Sequence, residues 1–376
     1  MDFEKSGKSA RLMAGASVIA LMSPVAVSAA EWDLEFGGTY NAWIGYADAD
    51  SPNGDFDGIE GTSNAEIFFR PTITLDNGIK IGADIELEGF ASTTTETEAE
   101  LDEAYLFVRG SFGDILLGRD QTVQERFRNE MPSAAIISLN SPSTSNFLPF
   151  SGEYNWAYTG NDFRRGTLGS TAPSLSGRDN PVRITYFTPR FSGFQLGVSY
   201  APEDTNTSNE RDKVFDIGVR YAEEFGGIRF SATANYGTAD ERGPGVSDSE
   251  TFGAGVDIGF GGVTIGGSFA EVRGTDWGIA DGEAHQLGIS YETGPWVFSG
   301  SYFYGWNYDN EHLGFGPRES FESVTLAGSY KLAKGVRLNL FGAYVNFDEQ
   351  VSDAGFGTNG DDIDGFVIGT GIGLSW

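Results

Sequence analysis

The chain has 376 residues, no cysteine, 53 glycines and a formal net charge of -30. That acid excess argues against nucleic acid as a partner, because phosphate binding needs the opposite sign. The lack of cysteine excludes a disulfide framework and a thiolate metal site, and abundant glycine without long apolar runs points to β-structure.

In chain order, the first predicted element is an export signal over residues 1–30. Lys5, Lys8 and Arg11 form a basic start, and Leu12 to Met22 an apolar run too short to cross a bilayer. Val27-Ser28-Ala29-Ala30 then offers small residues for cleavage after Ala29 or Ala30. The remaining chain, 31–376, begins near Glu31 outside the cytoplasm. No later stretch reaches the roughly twenty apolar residues of a membrane helix. The exported chain is therefore expected either to be soluble or to cross a membrane as closed sheet.

Alternation favours the second. Trp32, Leu34, Phe36, Tyr40, Ile44 and Tyr46 hold one parity, with Asp33, Glu35, Thr39 and Asn41 on the other. Next come Ala65, Ile67, Phe69 and Ile73 around Glu66, Arg70 and Thr72, then Ile79, Ile81, Ile85 and Leu87 around Lys80, Asp84, Glu86 and Glu88. This is the dyad pattern of a wall with lipid on one side and water on the other. Continued to Trp376, it predicts sixteen strands: 32–46, 64–75, 79–90, 103–112, 114–120, 181–188, 193–202, 213–223, 227–238, 251–260, 262–272, 284–292, 295–306, 322–331, 335–347 and 364–376. In the fourth, fifth and fifteenth both faces are apolar, so these could pack against something other than lipid, such as a neighbouring subunit.

The connections carry a second signal. Seven tight turns, among them Asp76-Asn77-Gly78, Glu224 to Gly226 and Glu292-Thr293-Gly294, alternate strictly with eight longer polar loops. Outer-membrane barrels have this asymmetry, with short turns periplasmic and long loops outside. An open edge in hydrocarbon is too costly to tolerate, so the strand ending in Trp376 is expected to pair with the first. Tyr40, Trp43, Tyr46, Tyr200, Tyr221, Tyr236, Trp296 and Trp306 fall near strand ends, where interfacial girdles are expected. The fold class is thus an all-β, sixteen-stranded antiparallel transmembrane barrel.

One connection is unusually long, running from 121 to 180 with Pro132, Pro142, Pro149 and Pro173 and little alternation. Such length is usually functional or disordered. The run Arg178 to Tyr200, containing Pro181-Val182-Arg183-Ile184-Thr185-Tyr186-Phe187-Thr188-Pro189, resembles the sixth and seventh strands of Gram-negative general-diffusion porins. Phe112-Gly113-Asp114-Ile115-Leu116-Leu117-Gly118-Arg119, leading into the long loop, resembles the same family. With strand count and loop order, the likeness covers the whole chain after the signal. It implies an outer-membrane location, a homotrimer, a third loop folded into the lumen and a charged constriction. Two departures stand out. Trp376 replaces the usual terminal Phe, and Phe147-Leu148-Pro149-Phe150-Ser151-Gly152-Glu153 stands where the family has a Pro-Glu-Phe-Gly-Gly stretch.

Parity assigns charges to the lumen: Arg70, Lys80, Asp84, Glu86, Glu88, Arg183, Arg220, Arg229 and Arg337, with Arg109 and Arg119 expected to join them. A three-residue hairpin loop with Gly78 left-handed would set Arg70 opposite Asp84, and Glu66 opposite Glu88. The expectation is a basic wall of Arg70, Arg109, Arg119 and Arg183 facing third-loop acids, with Glu125, Glu130, Glu153 and Asp162 as candidates. Opposed charges would screen solutes by polarity as well as size.

The first loop reads Asp48, Asp50, Asn53, Asp55, Asp57, Gly58, Glu60. The spacing through Asp55 and Asp57 echoes the opening of a calcium loop, but the twelfth position is Asn64 rather than Glu. A solvated surface loop is the favoured reading, with a calcium site as the alternative, and no cofactor is otherwise implied. Acidic loops could engage lipopolysaccharide through divalent cations and predict a mild cation preference. The only histidines are His285 and His312; no spacing singles out a catalytic dyad, and the chain reads as a non-enzyme. General diffusion of small hydrophilic solutes and ions is the expected function, with a sugar- or anion-selective channel as the alternative.

Overall fold

The computed structural model describes residues 31–50, 56–92, 100–129, 131–135, 147, 171, 181–203, 211–241, 248–274, 281–308, 318–349 and 363–376. The proposed export signal lies outside these residues. The described strands are β1 (Trp32–Asp50), β2 (Phe56–Thr74), β3 (Lys80–Ser92), β4 (Glu100–Gly110) and β5 (Gly113–Arg119). After the short helix α1 (Val123–Arg126) come β6 (Val182–Phe187), β7 (Phe194–Glu203), β8 (Arg211–Phe225) and β9 (Ile228–Glu241). The remainder are β10 (Ser249–Phe260), β11 (Val263–Arg273), β12 (Gly282–Thr293), β13 (Trp296–Tyr308), β14 (Arg318–Ala333), β15 (Val336–Glu349) and β16 (Ile363–Ser375).

All sixteen close into one barrel in chain order. The seam is β1 against β16, antiparallel, with Tyr40 opposite Leu374. The last residue completes it: Trp376 N donates to Gly38 O at 3.2 Å, and Gly38 N to Trp376 O at 3.3 Å. No strand edge remains, which is the condition for sheet to exist in hydrocarbon.

The two-residue period sorts side chains as expected. Ile85, Leu87, Leu287, Ile289, Leu338 and Leu340 are exposed on the outer face. In water this would be an aggregation surface; in lipid it is the solvated one. Aromatic pairs bracket the apolar belt, with Phe194–Tyr221 and Trp296–Tyr330 towards the short turns and Tyr46–Phe366 and Phe252–Phe269 towards the loops.

The first short turn sets its hairpin's register. Leu75 N donates to Ile79 O and Gly78 N to Leu75 O, both at 2.8 Å. Gly78 has φ +82, a left-handed conformation in which a side chain would be strained. Phe69 then faces Ile85, and Glu66 faces Glu88.

Three features differ from the sequence reading. β2 begins at Phe56, well before the expected residue 64, because Asp57 to Ser63 carries a single large apolar side chain, Ile59, and takes its strand geometry from pairing with β1. Asp48, Asp57, Gly58 and Glu60 consequently lie in paired strands rather than a loop; Asp55 is outside the described residues. Trp43, grouped above with girdle aromatics, has the opposite parity and is buried inward. The third concerns the strands with two apolar faces. Tyr105, Phe107 and Leu116 on β4 and β5 pack with Val123 and Phe127 of the third loop. On β15, Phe341 meets Phe147, ring centroids 5.8 Å apart. Their second apolar face is thus met by the chain's own third loop.

Candidate pore constriction

The described part of the third loop runs along the inner wall. Thr122 caps α1: its side chain accepts from Glu125 N at 3.2 Å, while Glu125 Oε2 accepts from Thr122 N at 3.1 Å. This reciprocal box satisfies two donors that a helix start leaves orphaned. A third, Val123 N, donates to Asp216 Oδ1 of β8 at 2.5 Å. Thr251 Oγ1 donates to Gln124 Oε1 at 2.8 Å, Gln286 Nε2 to Asn129 O at 3.3 Å, and Ala134 N to Ser299 Oγ at 2.7 Å. Asn339 Nδ2 donates to Ala134 O at 2.9 Å. From β8 to β15, inward polar side chains hold the loop's backbone and the Gln124 amide.

Among the described residues, a dense group of charges lies on β2 to β5. Arg70 spans two carboxylates, Nε to Asp84 Oδ2 at 2.7 Å and Nη2 to Glu86 Oε1 at 2.5 Å. Its guanidinium lies 3.8 Å from the Phe68 ring centroid. Tyr105 donates its hydroxyl to Asp84 Oδ2 at 3.1 Å. Glu66 and Glu88 face each other next along the same wall. A few residues on, Arg126 of α1 pairs with Glu103 at 3.2 Å and, more tightly, with Asp120. Asp120 has no exposed surface; burial holds its carboxyl above the usual aspartate range, although Arg126 opposes the shift.

The four arginines expected in one wall are therefore dispersed. Arg70 is at the acidic cluster. Arg109 sits beside the short turn, 3.7 Å from Asp114, stacked on Phe107. Arg119 is in register with Ala104 and Val182; Val182 is exposed on the outer face, and Arg119 Nε donates to Asp102 O at 3.1 Å. Arg183 faces inward but is fully buried, its charge met by Asp216 at 3.3 Å. Glu125 is engaged in the capping box. Glu130, Glu153 and Asp162 lie outside the described residues. In this sector the polarity is the reverse of the expectation: the wall supplies carboxylates and the loop supplies a cation.

Arg126, Asp120 and Asp216 were not singled out from sequence. The pattern Thr122-Val123-Gln124-Glu125 is a readable helix start and would have placed Arg126 just after it, in the first turns of a helix. Asp216 gives no such signal. Among the described residues, Glu86, Asp102 and Glu103 have carboxylate oxygens within 4.8 Å of one another. Guanidinium groups already answer two of these charges, Arg70 at Glu86 and Arg126 at Glu103. On β12, His285 lies 3.8 Å from Glu283 with its ring on the outer face; His312 is outside the described residues.

The sequence model of a family described as Gram-negative porin matches residues 15–350. Outer membrane porin protein 32 of Delftia acidovorans is 29% identical over 210 residues, 54% of this chain. The chain spans 53% of that relative's length. Among solved structures, an anion-selective porin from Comamonas acidovorans superposes with TM-score 0.61 at 19% identity, covering 92% of this chain and all of that one. The trimer form of OmpT from Vibrio cholerae superposes at 0.56 with 15% identity, covering 92% and 99%.

Proposed function

The chain belongs to the Gram-negative porin family, and on that basis we propose that its barrel is a passive outer-membrane channel for small hydrophilic solutes and ions. The observation that carries this reading is the sorting of one closed wall. Ile85 and Leu87 face out, while Asp84, Glu86 and Arg70 between and beside them face in. A hydrated, charged interior within an apolar jacket can conduct without any energy-coupled step.

In this reading the constriction's selectivity comes from Asp84, Glu86, Glu88, Glu66 and Glu103, partly offset by Arg70 and Arg126. The carboxylates outnumber the guanidiniums, so the channel is mildly cation-preferring. Helix α1 and the residues after it narrow the lumen. Arg109 tunes the short-turn mouth, and Arg183 supports the wall from within it. Purified protein in planar bilayers tests this. The expectation is ohmic steps proportional to salt, with a reversal potential favouring cations; absence of steps from correctly folded protein would remove the channel reading.

A second reading, selectivity for an anionic solute, is favoured by inward-facing Arg220 and Arg229, the latter packed against Gly259. Competition by added anions in single-channel recordings separates the two. Homotrimeric assembly is supported by the trimeric form described for OmpT of Vibrio cholerae and by the brevity of β5 and β6, seven and six residues. Strands that short span little of the apolar core alone and gain from a neighbour's cover. Outward carboxylates towards the loops, such as Glu250 and Asp364, suit divalent bridges to lipopolysaccharide. Catalysis has no part in the proposal.

A further inference from the structure

Inward glycines recur on successive strands along the path of the third loop. We propose that they are positioning residues, a furrow that sets how deeply the loop seats against the wall and so how wide the pore is. The inference rests on the channel reading above.

Gly197, Gly218, Gly237, Gly255, Gly266 and Gly288 lie one each on β7 to β12, all on the inward parity. A β-carbon on Gly197 would stand 2.8 Å from Val123 Cγ1, with the Phe187 ring equally near, and one on Gly218 would stand 3.0 Å from the same atom, beyond the Asn235 amide oxygen. At Gly237 it would meet Gln124 Oε1 at 2.9 Å, and at Gly255 the β-carbon of Asn129 at 2.7 Å. At Gly266 it would meet the Asp257 carboxylate of the wall first and Pro132 Cδ at 3.1 Å, and at Gly288 it would meet Pro132 O at 2.9 Å and Met131 Cβ at 3.0 Å. The contacts advance in order, Val123, Gln124, Asn129, then Met131 and Pro132, against strands β7 to β12. Glycine within a strand forfeits packing and backbone entropy, and is kept where another chain segment must come close.

Hydrogen bonds beside the furrow point the same way: Thr251 to Gln124 and Gln286 to the Asn129 carbonyl hold the loop against the wall. Gly253 supplies the contrast. It shares β10 and the inward face with Gly255, yet nothing comes within 3.7 Å of a β-carbon there.

The test compares Gly255→Ala, Gly288→Ala and Gly253→Ala in the full chain by single-channel conductance, with heat-modifiable gel mobility reporting barrel formation. The first two should lower conductance about twofold or more by pushing the loop towards the axis, while Gly253→Ala matches the parent. Adding Asn129→Gly to Gly255→Ala removes the colliding carbon and should restore conductance. Equal conductance in all three single variants overturns the furrow. Should Gly255→Ala fail to form a barrel, recovery in the double variant supports the proposal and continued failure overturns it.

A readout without current separates the two claims. The chain has no cysteine, so Ala134→Cys with Ser299→Cys can form one disulfide where Ala134 N now meets Ser299 Oγ at 2.7 Å. The bond should form in the parent and fall in yield when Gly288→Ala is added. A parent that cross-links but passes no current would sink the channel reading and leave the furrow standing; cross-linking indifferent to Gly288→Ala would overturn the furrow.

Discussion

Arg183 Nη1 stands 3.3 Å from Asp216 Oδ2, with both side chains withdrawn from solvent, 0% and 1% exposed. The other Asp216 oxygen takes the Val123 amide of α1, and Arg183 also donates to Ser199 at 3.1 Å. Three strands and the third-loop helix therefore meet at one buried ion pair. Its geometry makes it a structural joint rather than a pore-facing charge.

Breaking that joint should cost stability. Arg183→Ala leaves a buried carboxylate without its cation, a loss of about 3–5 kcal/mol. Denaturant titration followed by gel mobility measures it. The paired change Arg183→Met with Asp216→Leu should recover part of the loss; a single variant as stable as the parent would contradict the assignment.

Arg70 predicts a different outcome. Arg70→Gln uncovers Asp84 and Glu86 on the wall, so the reversal potential under a salt gradient should move towards stronger cation preference. The shift should shrink at high salt, where screening shortens the reach of charge to about 3 Å at 1 M. An unchanged reversal potential at low salt argues that Arg70 does not face the permeation path.

Arg126→Gln should act on both properties. It removes the cation from Glu103 and from buried Asp120, loosening α1 while making the lumen more acidic. Faster amide exchange at residues 123–127 together with higher cation selectivity is the expected pair of results. Either one alone would mean that Arg126 serves packing or permeation but not both.

Asp120 links loop packing to pH. Burial raises its carboxyl in the folded state, so folding takes up a proton that the unpacked segment would release. This contribution is fully present below the ordinary aspartate value of about 3.9 and is lost as pH rises through the raised one. Protection of the α1 amides, corrected for intrinsic exchange, should fall over that window. Asp120→Asn should flatten the profile; a slope that persists assigns it to another group.

Leu287 is exposed near the middle of β12, flanked by inward Gln286 and Gly288. Leu287→Arg places a cation in the apolar belt and should cost about 2–4 kcal/mol in lipid. Ser290→Arg, three residues away on the inner face, should cost far less. Comparable losses for the two, read by reversible folding into vesicles, would mean that the faces are misassigned.

The strands were legible because lipid on one face and water on the other impose a two-residue period along each of them. Ile79, Ile81 and Ile85 against Lys80, Asp84 and Glu86 is enough to orient β3. Gly78 after Asp76-Asn77 is enough to set its register with β2, and hence the neighbourhood of Arg70 and Asp84. Legibility failed where both faces are apolar. Tyr105, Phe107 and Leu116 alternate with Leu106, Ile115 and Leu117, and nothing local says which set meets lipid. It failed for charge as well. Parity turned Arg183 inward but could not show that Asp216, over thirty residues away, would neutralise it.

Residue order alone was sufficient for a closed sixteen-stranded wall, its inside and its outside, because those follow from spacing between neighbours and from the cost of unpaired backbone in hydrocarbon. Which charges meet water depended on contacts between segments far apart in the chain. α1 carries Arg126 to Glu103, and its first amide to Asp216. Coulomb energy depends on distance and burial rather than sequence separation, so these pairings came into view only once the third loop lay against the wall.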